Sequence, residues 1–477
     1  MFAAIFETAL PYGTILLVLG VVFGFYMAWS IGANDVANAM GTSVGSGGLT
    51  MKKAVIIAGI MEFAGAVLVG SHVSETVRQG MFDPSQFEAL PLVLGFLAAL
   101  LAAAAWLQAA TWFGWPVSTT HSIVGSVIGV GVVIGGMNAV NWGKVVGIVA
   151  SWVTSPLLGG VIAFVLLKII QRNLIDHKRP LAQTYKFIPF IVGYVAFVLT
   201  LVMVWKGLKN LNLNLNLGQA VMVALATAVA VGLLSLLWVR RLKQLHEQER
   251  IERRIELTGE EPEGRVPFVR KEFREQSEPP SELRPPLASG SELPAKRWEH
   301  RREFEFEKME AVFSALMVVS ACFLAFAHGA NDVANAVGPL AAVLSIVKEG
   351  TVSLQAAVPV WVLALGAVGI IVGLATWGYK VIETIGRKIT HLTPSRGFAA
   401  NIGAATTIVV ASRMGLPIST THTLVGAVLG IALARGIEYL NLRMVRDIAI
   451  SWIITIPAGA ILAIVFYYVL KLIFIGA

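Results

Sequence analysis

Two aspartates sit in the same eight-residue context, because Gly32–Ala39 and Gly329–Ala336 both read GANDVANA. Each lies within or beside an apolar run. A carboxylate at the centre of a bilayer costs at least about 2.5–3.5 kcal/mol on insertion scales, so Asp35 and Asp332 should face a cavity, an ion or a partner. The flanking Asn34, Asn38, Asn331 and Asn335 add neutral carbonyl oxygens, and Asn34 and Asn38 stand one helical turn apart on one face. A carboxylate with several carbonyls suits a hard cation such as sodium, at Asp35 and at Asp332, although oxygen ligands alone do not identify the ion. Interhelical packing of small and polar residues is the simpler reading of one such cluster. Two identical clusters would be a costly way to pack helices.

A second duplicated motif supplies the opposite chemistry. Pro116-Val-Ser118-Thr119-Thr120-His121 matches Pro417-Ile-Ser419-Thr420-Thr421-His422. The proline suits a first helical turn, which would set the hydroxyls and free backbone N–H groups at the positive end of a helix dipole, where anions bind. Two such ends could hold a tetrahedral oxyanion from both sides with neutral donors, loosely enough to release it. Ordinary N-capping by Ser and Thr is the default for a single copy. Glu62, Glu75 and Glu383 lie in or beside apolar runs and could bind cations, relay protons or form buried ion pairs. His121, His328 and His422 could orient helix ends.

The elements that must position these residues are membrane helices. The chain of 477 residues is 56% hydrophobic and 14% charged, with mean hydropathy +0.73, against about 25% charge in a soluble domain. Apolar runs near the length of a ~30 Å hydrocarbon core fall near 12–31, 54–74, 91–112, 118–136, 143–170, 187–206, 218–239, 311–328, 357–377, 398–412, 418–435 and 447–473. That predicts an all-α polytopic membrane protein with about twelve crossings. The Gly-rich runs 118–136, 398–412 and 418–435 are candidates for broken or re-entrant helices. The N-terminus carries Glu7 and no basic region before its apolar run, so that run reads as a retained span rather than a signal peptide.

Lys and Arg cluster at Lys52–Lys53, Arg172–Lys186, Arg240–Lys243, Lys380–Arg396 and Arg435–Arg446. With both termini outside, all five clusters fall on the cytoplasmic side. The formal net charge of +8 is thereby explained by topology rather than by nucleic acid. About half of all charged residues lie in 240–308, acids and bases nearly balanced, which reads as a cytoplasmic linker with a charged helix over Arg240–Glu256 and a Pro-rich middle. The expected organisation is a first repeat at 1–170, two intervening helices at 187–239, the linker, and a second repeat at 309–477. The lone Cys322 excludes an intrachain disulfide and a multi-cysteine metal site.

The two motif pairs are offset by 297 and 301 residues, so the order and spacing of the unit survive. Ser151-Trp152 and Pro156 pair with Ser451-Trp452 and Pro457, and Glu75 aligns loosely with Glu383. Seven crossings separate the starts of the two units. An odd number means opposite orientations, the inverted-repeat plan of secondary transporters, whose sites lie near the midplane where broken helices meet.

The duplicated GANDVANA, its second copy preceded by His328, and the duplicated P-[VI]-S-T-T-H closely resemble the inorganic phosphate transporter family, over roughly 12–170 and 310–473. The resemblance implies import of inorganic phosphate by symport with sodium or protons, by alternating access, in the plasma membrane of a bacterium or archaeon. It implies that Asp35 and Asp332 couple the ion and that the Ser-Thr-Thr triplets bind phosphate; His328, Glu62 and Glu75 also match positions that matter in the family. Asn401 departs from it, since many relatives are acidic there. A sulfate permease of the same fold is the rival. Two aspartates favour phosphate, whose hydroxyls need acceptors. A membrane hydrolase is disfavoured, because both copies carry the same Ser and His three residues apart rather than one asymmetric catalytic set. No cofactor is expected beyond the coupling ion. The partners are phosphate, the cation and lipid, with a homodimer left open.

Overall fold

In the computed structural model, residues 8–71, 73–74, 81, 86–204, 215–258, 294–352, 358–382, 392–436 and 442–476 are described. Among them, with the unbroken stretch Gly13–Gly45 counted as one, are twelve helices and a short 3₁₀ turn at Met137–Ala139. These are α1 (Gly13–Gly45), α2 (Met51–Val69), α3 (Ala89–Trp112), α4 (Thr119–Gly135), α5 (Trp142–Ile175) and α6 (Pro180–Val204). The remainder are α7 (Leu217–Thr258), α8 (Pro294–Glu349), α9 (Val360–Trp377), α10 (Pro394–Arg413), α11 (Thr420–Arg435) and α12 (Leu442–Phe474).

Eight of the twelve are long and apolar enough to cross a membrane, namely α1, α3, α5, α6, α7, α8, α9 and α12. The other four fall short for visible reasons. With 17 and 16 residues, α4 and α11 are about 25 Å long, less than the ~30 Å hydrocarbon core. Lys52, Lys53 and Glu62 dilute α2, and α10 carries Arg396, Asn401 and Arg413.

The bundle has an apolar outside. On α5, Val146, Val149, Val153, Leu157 and Val161 are exposed, and on α12 so are Ile453, Ile461, Val465 and Leu472. Such faces suit a lipid solvent, against which only helices or closed barrels satisfy their own backbone. The inner helices are covered on all sides. From Ala330 to Val343 of α8 every residue is buried, polar ones included.

Both motif-bearing helices run further than hydropathy predicts. The expected spans 12–31 and 311–328 stop just before each Asp, yet α1 continues to Gly45 and α8 to Glu349. The octet is rich in Ala and compatible with helix, and because it is buried against protein it needs no lipid-facing apolar surface. The two copies are wound differently. Gly32–Val36 forms a π turn in α1, whereas the same residues in α8 continue a regular α-helix; single π turns recur at functional sites.

Each motif helix crosses the second helix of the other repeat at a glycine. A Cβ at Gly32 of α1 would overlap the Ile370 carbonyl of α9, and one at Gly329 of α8 would overlap the Glu62 carbonyl of α2. The contacts are reciprocal, with Gly373 of α9 against the Trp29 carbonyl and Gly65 of α2 against the Phe326 carbonyl. Close backbone approach of this kind is what small residues permit in membrane helices. Likewise α4 packs on α12 and α11 on α5, so the repeats interlock rather than lie side by side.

The charged helix expected after Arg240 is present as the end of α7, and α8 begins at Pro294. Lys308 of α8 pairs with Glu249 of α7 at 2.5 Å. The middle of the expected linker, 259–293, lies outside the described residues.

Candidate functional site

The turns before α4 and α11 bring two helix N-termini together at the motif helices. Ser118 and Ser419 are the N-caps, each in extended conformation with its hydroxyl accepting from the backbone N–H of His121 (3.2 Å) or His422 (3.1 Å). The prolines therefore stand before the cap, not in the first turn as the sequence suggests. A side-chain cap satisfies an otherwise orphaned N–H, and Pro116 and Pro417 instead belong to the extended approach. The ends are stitched across the repeats: the Thr120 hydroxyl donates to the Ile418 carbonyl at 2.9 Å and the Thr421 hydroxyl reaches the Val117 carbonyl at 3.4 Å.

The aspartates face these ends. Asp35 accepts from the Thr119 hydroxyl at 2.5 Å, from the Thr119 N–H at 3.4 Å and, across the repeats, from the Thr421 hydroxyl at 2.7 Å. Asp332 accepts from the Thr420 hydroxyl at 2.6 Å and lies 2.8 Å from Nε2 of His328. Nδ1 of His328 is 3.0 Å from Glu62, so one imidazole bridges two buried carboxylates. The Asn335 amide donates to the Thr119 and Thr120 hydroxyls at 3.2 Å each. Several hydroxyls that the sequence offers to an anion are thus engaged with carboxylates.

Asn34 and Asn331 have a matched second task. Asn34 donates to the Thr111 hydroxyl at 2.9 Å and the Trp115 carbonyl at 3.0 Å; Asn331 donates to the Ser412 hydroxyl at 2.9 Å and the Leu416 carbonyl at 3.2 Å. Their amide nitrogens fix the turns that aim α4 and α11. Their Oδ1 atoms, with Oδ1 of Asn335 and of Asp332 and Oε1 of Glu62, are buried without a hydrogen-bond partner among the described residues. Buried oxygens without partners are rare in folded proteins and suit a cation.

Asp35, His328 and Asp332 each offer a ligand atom within 4.8 Å of the others, all three residues buried. Two carboxylate charges at that separation repel by about 3.5 kcal/mol at an effective dielectric of ~20. A cation beside them would turn that repulsion into attraction. Imidazole is a poor ligand for a hard monovalent ion, so His328 acts here through Asp332 and Glu62.

His121 and His422 do not face this cluster's carboxylates in any hydrogen bond. His121 packs at a tilt on Trp152 (3.8 Å between ring centroids), His422 stacks on Trp452 (3.4 Å), and the two imidazoles meet edge to face at 4.2 Å. The side chain of Asn38, and the residues Glu75 and Glu383, lie outside what the structure describes. Asn401 belongs to a separate buried network: its Oδ1 accepts from Thr42 at 2.6 Å, and its amide donates to Ser43 and Ser320 at 3.3 Å each.

The bridging of Glu62 and Asp332 by His328 is not legible in the motifs themselves. Aligning the repeats gives a signal for it, since His328 falls opposite Ile31 and Glu62 opposite Ile370, two polar residues where the other half has apolar ones.

Residues 31–463 match the Phosphate transporter family. The chain belongs to this family. It is 44% identical over 471 residues to a protein of Haemophilus influenzae named as a phosphate permease, covering 98% of this chain and all of the relative. It is 42% identical over 467 residues to the chloroplast inorganic phosphate transporter 2-1 of Arabidopsis thaliana, covering 96% and 72%. A solved structure titled as the sodium-dependent phosphate transporter superposes with a TM-score of 0.79 at 37% identity, covering 96% of this chain and all of that one. The protein is therefore a multi-pass membrane protein of a transporter family, not an enzyme.

Proposed function

We propose that this transporter imports inorganic phosphate by symport with sodium, through alternating access between two inverted repeats. The observation that carries the reading is the cluster of Asp35, Asp332 and unpartnered Asn oxygens set against the Ser-capped N-termini of α4 and α11. Sodium is favoured over the proton by the likeness to a sodium-dependent transporter.

The geometry suggests how one ion admits the other. The Thr119, Thr420 and Thr421 hydroxyls donate to Asp35 and Asp332. A cation on the carboxylate and Asn oxygens takes over that charge and frees the hydroxyls to turn toward an anion. Phosphate then binds between the two helix N-termini, where the dipoles and the Ser118–Thr120 and Ser419–Thr421 donors converge. Its own hydroxyls find acceptors in the aspartates, which sulfate has no proton to use. Phosphate without sodium would meet occupied donors and bare carboxylates.

In this arrangement both termini lie outside and the linker is cytoplasmic, which places the Lys and Arg clusters on the inner side. The test is phosphate uptake into proteoliposomes under an inward sodium gradient, a proton gradient or neither, with excess sulfate as competitor. Sodium-driven uptake unaffected by sulfate is expected. Uptake driven only by protons would reassign the ion, and full competition by sulfate would reassign the substrate.

A further inference from the structure

We propose that the groove between α5, α6 and α10 is a binding site for an anionic phospholipid, its acyl chain in the groove and its headgroup on the bases at the α5–α6 turn. The groove has a volume of about 160 Å³ and is lined only by apolar and aromatic side chains. Leu166 and Leu174 of α5 form one wall, Phe187 and Phe190 of α6 the other, and Phe398 and Ile402 of α10 the buried floor. Phe190 is 76% exposed, so the opening faces the lipid side of the bundle.

What covers the groove follows from its two ends. At one end Tyr194 of α6 meets Thr406 of α10 through their hydroxyls at 3.1 Å, which joins the two helices beyond the apolar stretch. At the other end α5 finishes in a π turn at Gln171–Ile175 and α6 begins at Pro180. Arg172, Lys178, Arg179 and Lys186 crowd that turn, all exposed, with Asp176 the one acid of the segment; of the acids on the packed helices that reach Tyr185 beside Lys186, namely Glu247, Glu249 and Glu305, Glu249 is paired with Lys308. Among the described residues none of the four is in an ion pair, whereas the nearby Lys168 is engaged with the Ala434 carbonyl at 2.6 Å. At 34 residues, α5 is about 50 Å long and outreaches the ~30 Å hydrocarbon core, which puts its end at headgroup level. An apolar slot at membrane depth that ends in unpaired bases at headgroup level is complementary to a lipid with a negative head, not to a zwitterionic one.

The site lies apart from the aspartate cluster and does not depend on which ion is carried. It joins the intervening helix α6 to α10 of the second repeat, so a lipid there would be wedged between those two elements.

Native mass spectrometry of the delipidated full-length protein, titrated with phosphatidylglycerol or phosphatidylcholine, tests this directly. Preferential retention of phosphatidylglycerol is expected. The exposed-residue variants Arg172→Gln and Lys186→Gln should each weaken that retention roughly fivefold, and Ile169→Trp on the groove rim should weaken retention of both lipids. Equal retention of the two lipids, unchanged by removing the bases, would overturn the proposal. So would a shift of oligomeric mass in Ile169→Trp with no loss of lipid, which would assign the groove to a second copy of the chain.

Discussion

The two GANDVANA copies are identical in sequence and unequal in setting. In the first half the octet opens in a π turn, is preceded by Ile31 and crosses α9 at Ile370. In the second it is plain α-helix, is preceded by His328 and crosses α2 at Glu62. The crossing geometry is shared, because each glycine meets the carbonyl of its counterpart. Only one crossing is ionic. Asp35 is answered by hydroxyls from both repeats, whereas Asp332 has one hydroxyl and an imidazole that is itself backed by Glu62. Duplication has supplied a common scaffold, and the residues around it divide two aspartates into a hydroxyl-bound one and an imidazole-bound one.

Removing either carboxylate should have the largest effect. Asp35→Asn and Asp332→Asn are each expected to abolish sodium-driven phosphate uptake in proteoliposomes, with elution and thermal unfolding close to those of the parent. Normal cation-dependent uptake by both variants would end the idea that these two residues couple the ion.

Next in size is the stability of the ionic crossing. Breaking a buried pair by deleting one partner costs about 3–5 kcal/mol, because the other is left uncompensated, while apolar replacement of both is often near neutral. His328→Ile, which strands both Glu62 and Asp332, should therefore lower the unfolding temperature more than the Glu62→Ile/His328→Ile double variant, which gives the second crossing the residues of the first, and more than Glu62→Ile alone, which leaves His328 beside Asp332. The prediction concerns stability alone. If the double variant unfolds at the sum of the single losses, the two residues do not form a unit. A Gly329→Ala variant should also unfold at lower temperature, since its methyl would overlap the Glu62 carbonyl; an unchanged unfolding temperature would mean that the α2–α8 crossing relaxes freely.

Much of this was legible in the residues, and the gaps have physical causes. Hydropathy locates the eight apolar helices but stops α1 and α8 short of their aspartates, because a helix buried in protein needs no apolar surface. The repeat pairs Asn34 with Asn331, yet nothing in the octet says that their amides hold the turns at Trp115 and Leu416 while their oxygens stay unpartnered. That follows only when residues some 80 positions apart are brought together. The Ser-Thr-Thr motif was readable as a pair of helix starts, with Ser118 and Ser419 as the caps and the prolines before them rather than in the first turn. His121 and His422 were expected to orient helix ends, and they pack on Trp152 and Trp452 beside those ends. The Tyr194–Thr406 contact and the groove below it join helices that no motif connects.

The smallest expected effect sharpens the comparison most, because it separates two hydroxyls at matching positions. Thr421 donates to Asp35 at 2.7 Å, but Thr120, its counterpart, donates to the Ile418 carbonyl at 2.9 Å and receives the Asn335 amide. A hydrogen bond to a charged group contributes about 1.5–3 kcal/mol. Without phosphate, sodium must displace Thr421 from Asp35. Thr421→Val should therefore bind sodium up to about tenfold more tightly when phosphate is absent, part of the lost bond being recovered by relaxation, and should lose phosphate affinity for want of the freed donor. Thr120→Val should lose phosphate affinity while its sodium affinity stays where it was. Calorimetric sodium titrations of the two variants, each with and without phosphate, read both quantities. If the two valines shift sodium affinity alike, the hydroxyl on Asp35 does not compete with the cation, and coupling must pass through the helix ends themselves rather than through a side chain that exchanges one partner for the other.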